Sequence, residues 1–309
     1  MAYRVAIVGA TGRTGGIVDS ILRKHSYVDV VARTSRGEDG YLPLNIDKEE
    51  EVAYFMSLKP EIAFVTIDGD DVVKQYVEKF RERCPDMRII DLSTAYRTHP
   101  DFVYGLPELP GRREEIKKAK LVTNPGCYAT SAILAAAPVL KKYGDETEIV
   151  IIDGVSSHTG AGKKAEDPKR DRPKYENNIL PYATLDHKHR PEIGKEYGKL
   201  AGRAVRFGFY PSAVWVDPAI LNTLKIITRK KFTNSGLFEL YSEFYRNERF
   251  VSVIRHEPSA KDVRDTNYVE IYPVWDNKAE LVVVRSTIDN LVKGAGGQAV
   301  QNMIIMLRL

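Results

Sequence analysis

Tyr3-Arg-Val-Ala-Ile-Val-Gly9-Ala-Thr-Gly12-Arg-Thr-Gly15 is the stretch whose reading decides the fold. Residues 3–8 have the character of a strand buried on both faces, as in a parallel sheet. Three glycines at a spacing of three follow, and residues 17–24 then read as an amphipathic helix. In a strand–turn–helix context, such glycines let the backbone approach a pyrophosphate whose charge the helix N-terminus stabilises. Gly9, Gly12 and Gly15 are therefore candidate dinucleotide contacts. Downstream, strands at 27–32, 61–67, 87–92 and 120–123, with a helix at 70–83, continue the alternation. The expectation is an α/β, Rossmann-like, doubly wound parallel sheet. The second strand ends Val31-Ala-Arg-Thr-Ser-Arg-Gly37. An acid there would bind a ribose hydroxyl; Arg33, Ser35 and Arg36 instead favour NADP over NAD.

Asn124-Pro125-Gly126-Cys127 is the second informative stretch. Asn-Pro-Gly is turn chemistry, and residues 129–140 read as a buried helix. One of only two cysteines thus sits at a helix start, where unpaired N–H groups and the macrodipole favour thiolate over thiol. A plain buried cysteine is the bland alternative, and the loop-to-helix position argues against it. A thiolate in a chain with a nicotinamide site suggests acyl chemistry: the sulfur takes an acyl group and hydride reduces the thioester to an aldehyde. His187 and His189, in His-Lys-His-Arg-Pro-Glu-Ile, supply an acid–base and its support in either order. No third ligand cluster accompanies them, so no metal is expected.

At 309 residues two domains are the default. After Cys127 the pattern changes to long strands at 148–153, 219–227, 268–272 and 279–286, an α+β region with a mixed or antiparallel sheet. The polar stretch 156–182 reads as a functional loop. Residues 297–309 form an apolar helix expected to return to the first domain. The expected division is an NADP-binding domain at 1–126 and 288–309, with a catalytic, substrate and oligomerisation domain at 127–287. Two cysteines make no disulfide framework and suit a cytoplasmic location. A net charge of +4, without an aromatic-interleaved basic stripe, gives no sign of nucleic-acid binding. No apolar stretch is long enough to span a bilayer. The cluster Lys163, Lys164, Lys169, Arg170, Arg172 and Lys174 suits an anionic substrate or an acidic partner.

Gly-Ala-Thr-Gly-Arg-Thr-Gly (9–15), Thr-Ser-Arg (34–36), Asp-Leu-Ser (91–93), Asn-Pro-Gly-Cys-Tyr-Ala-Thr (124–130), Gly-Ala-Gly-Lys-Lys-Ala (160–165), His-Lys-His-Arg-Pro-Glu-Ile (187–193) and Asp-Asn-Leu-Val-Lys-Gly-Ala-Gly-Gly-Gln (289–298) together mark a family. The chain resembles the N-acetyl-gamma-glutamyl-phosphate reductases of arginine biosynthesis, and relatives acting on carrier-bound substrates. The resemblance implies Cys127 as nucleophile and His189 as acid–base. It implies cofactor contacts from Thr11, Gly12, Arg13, Thr14, Ser35, Arg36, Gly37 and Asn290. Lys163, Lys164 and Arg264 are candidates for gripping substrate phosphate or carboxylate, from charge and motif position. The implied reaction is NADPH-dependent reduction of an acyl phosphate, N-acetyl-gamma-glutamyl phosphate by default. The alternative is 2-aminoadipyl or glutamyl phosphate on an acidic carrier protein, of lysine, arginine or ornithine biosynthesis. A homodimer or homotetramer is expected by analogy. Aspartate-semialdehyde dehydrogenase shares the logic, but the Asn-Pro-Gly-Cys-Tyr context speaks against it. A non-catalytic NADP sensor is the reading from a different class. The chain departs from the family pattern at Asp153-Gly-Val-Ser-Ser-His-Thr-Gly-Ala-Gly162, at the shortened 91–105 segment, and at Tyr210-Pro-Ser-Ala-Val-Trp-Val-Asp-Pro218, which lacks a Pro-His pair.

Overall fold

A computed structural model describes residues 2–35, 37–161 and 172–309. Arg36, Lys163 and Lys164, and with them Lys169 and Arg170, lie outside the described residues. The chain forms two compact units, one of Met1–Pro125 with Ala295–Leu309 and one of Gly126–Gly294.

The first unit holds β1 (Tyr3–Val8), α1 (Arg13–Leu22), β2 (Val28–Ser35), β3 (Leu42–Pro43), α2 (Glu49–Ser57), β4 (Ile62–Val65), α3 (Asp70–Arg83), β5 (Arg88–Asp91), β6 (Val103–Tyr104), α4 (Arg112–Lys118) and β7 (Leu121–Thr123). Its sheet runs β3-β2-β1-β4-β5-β7-β6 with every pair parallel. Strand order reverses between β1 and β4, so the glycine turn after β1 stands at the switch point where such sheets receive ligands. Alternation along β1 explains the two layers of helices. Ala6 and Val8 join Phe55, Val77 and Phe80 on one face, and Val5 and Ile7 join Leu22, Ile116 and Met303 on the other.

The second unit holds α5 (Cys127–Tyr143), β8 (Thr147–Ser157), α6 (Arg172–Tyr175), β9 (Leu180–Pro181), α7 (Arg190–Ala201), β10 (Arg206–Val214), β11 (Ile220–Thr228), α8 (Asn234–Phe244), β12 (Val251–Val253), β13 (Val269–Asp276) and β14 (Leu281–Ile288). Its sheet, β12-β13-β14-β11-β8-β10-β9, is mixed: β8/β10 and β12/β13 are parallel and the other pairs antiparallel. The last helix, α9 (Gly297–Leu307), returns to the first unit and packs on α1, α4 and β5.

Helix α5 lies across β8, β11 and β14, and every residue from Tyr128 to Leu140 is buried. It runs through Pro138, which cannot donate to the carbonyl of Leu134. The Tyr245 hydroxyl takes that carbonyl instead, at 2.5 Å. Tyr241 and Tyr197 likewise donate to Ala135 O (2.7 Å) and Ala132 O (3.1 Å). Three phenols from outside the helix thus anchor the element that carries the thiol.

Several boundaries differ from those expected. Helix α1 begins at Arg13 rather than 17, directly on the glycine turn, and α5 begins at Cys127 itself. Strand β8 continues through Ser157, shortening the expected loop, whose described part also contains a short helical turn, α6 and β9. Strand β10 went unread because Gly208 and Pro211 interrupt its pattern. Pro211 lacks an N–H but its carbonyl still accepts from Tyr182 N at 3.2 Å.

Candidate active site

The glycine turn of the first unit is shaped by close backbone approach. Gly9 has φ +91°, and a Cβ there would stand 2.7 Å from Ile67 Cγ2. A Cβ on Gly15 would run into the Gly9 carbonyl and lie 2.8 Å from Thr66 Oγ1. Thr34 ties the turn to β2, accepting from Gly9 N at 3.3 Å through its hydroxyl and from Ala10 N at 2.9 Å through its carbonyl. Thr66 Oγ1 donates to Val8 O and Gly9 O. Gly12 caps α1 with extended backbone, no side-chain cap and no acid in the first turn. The leading N–H groups of the helix therefore face outward unpaired by any i−4 carbonyl, a fit to a diphosphate. Thr11, Arg13 and Thr14 line the same turn, partly exposed.

At the end of β2, Ser35 accepts from Glu38 N at 2.9 Å, and Gly37 adopts φ +108°. Both line a cavity of about 480 Å³ with Leu44, Asn45, Lys48 and Tyr76. Arg33 does not share this role: its guanidinium turns back to Asp19 at 2.7 Å and to Val30 O.

In the second unit Cys127 is the first residue of α5 and half-buried. Gly126, its N-cap, is extended and offers no side chain to the helix. By helix geometry the first-turn N–H groups have no i−4 carbonyl, and the positive dipole end favours an anion there. Behind the sulfur runs the turn Val292–Gly296, where a Cβ on Gly294 would stand 2.6 Å from Cys127 Cβ. Only glycine allows that approach.

Tyr128 connects the thiol to the histidines. Its ring meets His187, His189 and Phe209 edge-on at 5.7, 6.2 and 5.1 Å between centroids. The two imidazoles are buried and 4.6 Å apart. The Tyr128 hydroxyl donates to Ser212 O at 2.9 Å and also shares a hydrogen bond with Tyr182. Burial pushes the Tyr128 phenol far above its ordinary range, and pushes Tyr182 to about 12, with the nearby Cys127 charge adding to both. Both phenols therefore stay protonated at neutral pH. His187 Nδ1 accepts the backbone N–H of His189 at 3.1 Å. An accepting ring nitrogen carries no proton, so neutral His187 keeps its proton on Nε2. His189 is the N-cap of α7.

The remaining candidates divide. Asn290 is buried, and its amide pairs with Thr159 Oγ1 at 3.1 Å. Arg264 is held by Asp217 at 2.7 Å, so its guanidinium is already matched by a carboxylate. His158 stacks on Trp215 with centroids 3.7 Å apart, joining two of the segments that depart from the family pattern. Tyr128, Tyr182, Glu192 and Gly294 are not singled out by the sequence, although Tyr128, Glu192 and Gly294 lie inside its motifs. Among the described residues no three His, Cys, Asp or Glu side chains gather as a metal site, and no helix is long and apolar enough to cross a membrane.

Residues 4–119 match the family described as semialdehyde dehydrogenase, NAD binding domain, and residues 127–290 match its dimerisation domain. An N-acetyl-gamma-glutamyl-phosphate reductase of Methanocaldococcus jannaschii is 36% identical over 98% of this chain and 94% of its own length. One from Pseudothermotoga lettingae is 34% identical over 100% of this chain and 96% of its own. The chain belongs to the N-acetyl-gamma-glutamyl-phosphate reductase family. This reductase chain also shares its fold with an aspartate semialdehyde dehydrogenase II of Vibrio cholerae, at a TM-score of 0.77 and 17% identity, covering 100% of this chain and 99% of that one. The Candida albicans aspartate semialdehyde dehydrogenase solved with NADP gives 0.73 at 16% identity, covering 99% of both.

Proposed function

We propose that the chain catalyses NADPH-dependent reductive dephosphorylation of N-acetyl-gamma-glutamyl phosphate to its semialdehyde, through a thioester on Cys127. The observation that carries this reading is the thiol at the uncapped start of α5, with a buried histidine pair packed on the next side chain. The names of the relatives favour the free acetylated substrate over a carrier-bound one. The basic cluster that argued for a carrier lies largely outside the described residues.

Cys127 Sγ attacks the acyl carbon to form the C–S bond, and the tetrahedral intermediate then collapses to the thioester as its C–O bond to phosphate breaks. The first N–H groups of α5 stabilise the oxyanion of the tetrahedral intermediate. The chemistry supplied with bound NADPH would be a hydride, which would reduce the thioester carbon to a thiohemiacetal whose oxygen takes a proton from His189. His189 then removes the hydroxyl proton as the C–S bond breaks, releasing aldehyde and returning the thiolate. His187 is the support, its Nδ1 accepting the backbone N–H of His189. Gly9, Thr11, Gly12, Arg13, Thr14 and Gly15 would hold the diphosphate, and Ser35 and Gly37, with Arg36, the ribose phosphate.

We also propose that a second copy of the chain covers the face of the second sheet opposite α5. Ile149, Ile151, Leu221, Ile227, Val274 and Val283 stand there partly exposed among the Lys225–Asp153 and Arg285–Glu257 ion pairs.

The test runs the reaction backward from N-acetylglutamate semialdehyde. Turnover is expected to require NADP and phosphate; without phosphate a burst of about one NADPH per thiol should appear and stop. Equal rates with NAD, or no dependence on phosphate, would overturn the reading. A sensor would show no turnover at all.

A further inference from the structure

Glu192 is almost fully buried, at 1% exposure, in the first turn of α7. A glutamate at the third helical position usually folds back onto the N–H of its own N-cap residue. Here that N–H, of His189, is taken by His187 Nδ1. The released carboxylate reaches out of its own helix, and Oε2 accepts the N–H of Gly126 at 3.1 Å. Gly126 is the N-cap of α5, one residue before Cys127.

We infer that Glu192 is a positioning residue, a buried tether that fixes the start of the Cys127 helix against the start of the His189 helix. The physical need is clear from the local backbone. Gly126 has no side chain to anchor it, and neither helix carries a side-chain N-cap bond of its own. Helices α5 and α7 do pack along each other, with Tyr197 donating to Ala132 O. That contact lies more than a turn from the sulfur and leaves the leading turn to be held separately. A carboxylate accepting a backbone N–H is charge-assisted and directional, and it orders the turn without occupying the N–H groups of Cys127 and the residues after it.

The inference rests on the proposed roles of Cys127 and His189, and its test separates the two. In Glu192→Ala, kcat should fall about tenfold or more while KM stays within about threefold, since the reacting groups are misplaced and not removed. Alkylation of Cys127 by iodoacetamide should not slow, because the thiol remains and a neighbouring negative charge is gone. Glu192→Gln keeps an amide oxygen for the Gly126 N–H and should retain kcat within about threefold of the parent. The inference is overturned if Glu192→Ala keeps kcat within about twofold, or if Glu192→Gln falls as far as Glu192→Ala. Turnover persisting in Cys127→Ser would instead sink the thioester reading, whatever Glu192 does.

Discussion

The starts of α1 and α5 are near copies of one another in backbone terms. Gly12 caps the first at φ −68°, ψ 158°, and Gly126 caps the second at φ −72°, ψ 150°; neither helix has a side-chain cap. Both ends therefore present N–H groups without i−4 carbonyls and a positive dipole end. Their surroundings differ. The α1 turn is made rigid by backbone packed on backbone around Gly9 and Gly15, and in the proposed function all it must do is admit a diphosphate. The α5 turn carries a resident sulfur that, in the proposed reaction, has to meet a base on another helix. It is held by three phenols along the helix body and one carboxylate at its tip. An open helix start suffices to receive an anion; aiming a nucleophile requires added anchors.

The largest way to break this comparison is Cys127→Ser. Turnover should drop by at least about 10³-fold, with NADP affinity by titration unchanged within about twofold. A variant that still turns over would reduce the α5 start to a structural feature.

Asp91 sharpens the contrast from the side of the first unit. It ends β5, fully buried, with Oδ1 accepting from Ser93 N at 3.0 Å. Burial raises its carboxyl from 3.8 to about 6. Because the folded value lies above the unfolded one, the protonated folded state is favoured. Its contribution is complete below about pH 4 and is lost as pH rises through about 6, roughly 3 kcal/mol in all. Asp91→Asn should therefore gain on the parent by up to about 3 kcal/mol at pH 7, and much less near pH 4. Urea unfolding at the two pH values checks it; an equal difference at both would refute the burial argument.

Gly15→Ala and Gly16→Ala probe the first turn from inside. A Cβ on Gly15 meets the Gly9 carbonyl, whereas one on Gly16 meets nothing within 4 Å. The first should cost about 1–3 kcal/mol and weaken NADP binding. The second should be neutral or stabilising by up to about 1 kcal/mol. Tyr245→Phe, which removes the phenol donor to the Leu134 carbonyl freed by Pro138, should cost about 1–2 kcal/mol in thermal unfolding.

Much of the first unit was legible because a parallel sheet buries its strands on both faces, leaving apolar runs punctuated by glycine. The helix at 70–83 and the C-terminal helix read cleanly for the same reason. Strands β3, β6 and β9, of two residues each, carry no period to read. Strand β10 was hidden by Gly208 and Pro211. At the site, Cys127 and the histidine pair stood out by residue type and position. The place of Arg33 at the strand end said nothing of Asp19, fourteen residues earlier, to which it turns.

From the chain alone came the two-part architecture, the glycine turn, the thiol at a helix start and the His-Lys-His motif, since each is a local pattern of residue type and spacing. Only the folded structure decided which histidine ring accepts the other's backbone N–H, where Arg264 and Arg33 place their charge, and that Glu192 reaches Gly126. Those are contacts between residues distant in sequence or between side chain and backbone. Their partners are chosen by the packing of whole helices and sheets, which no local spacing encodes.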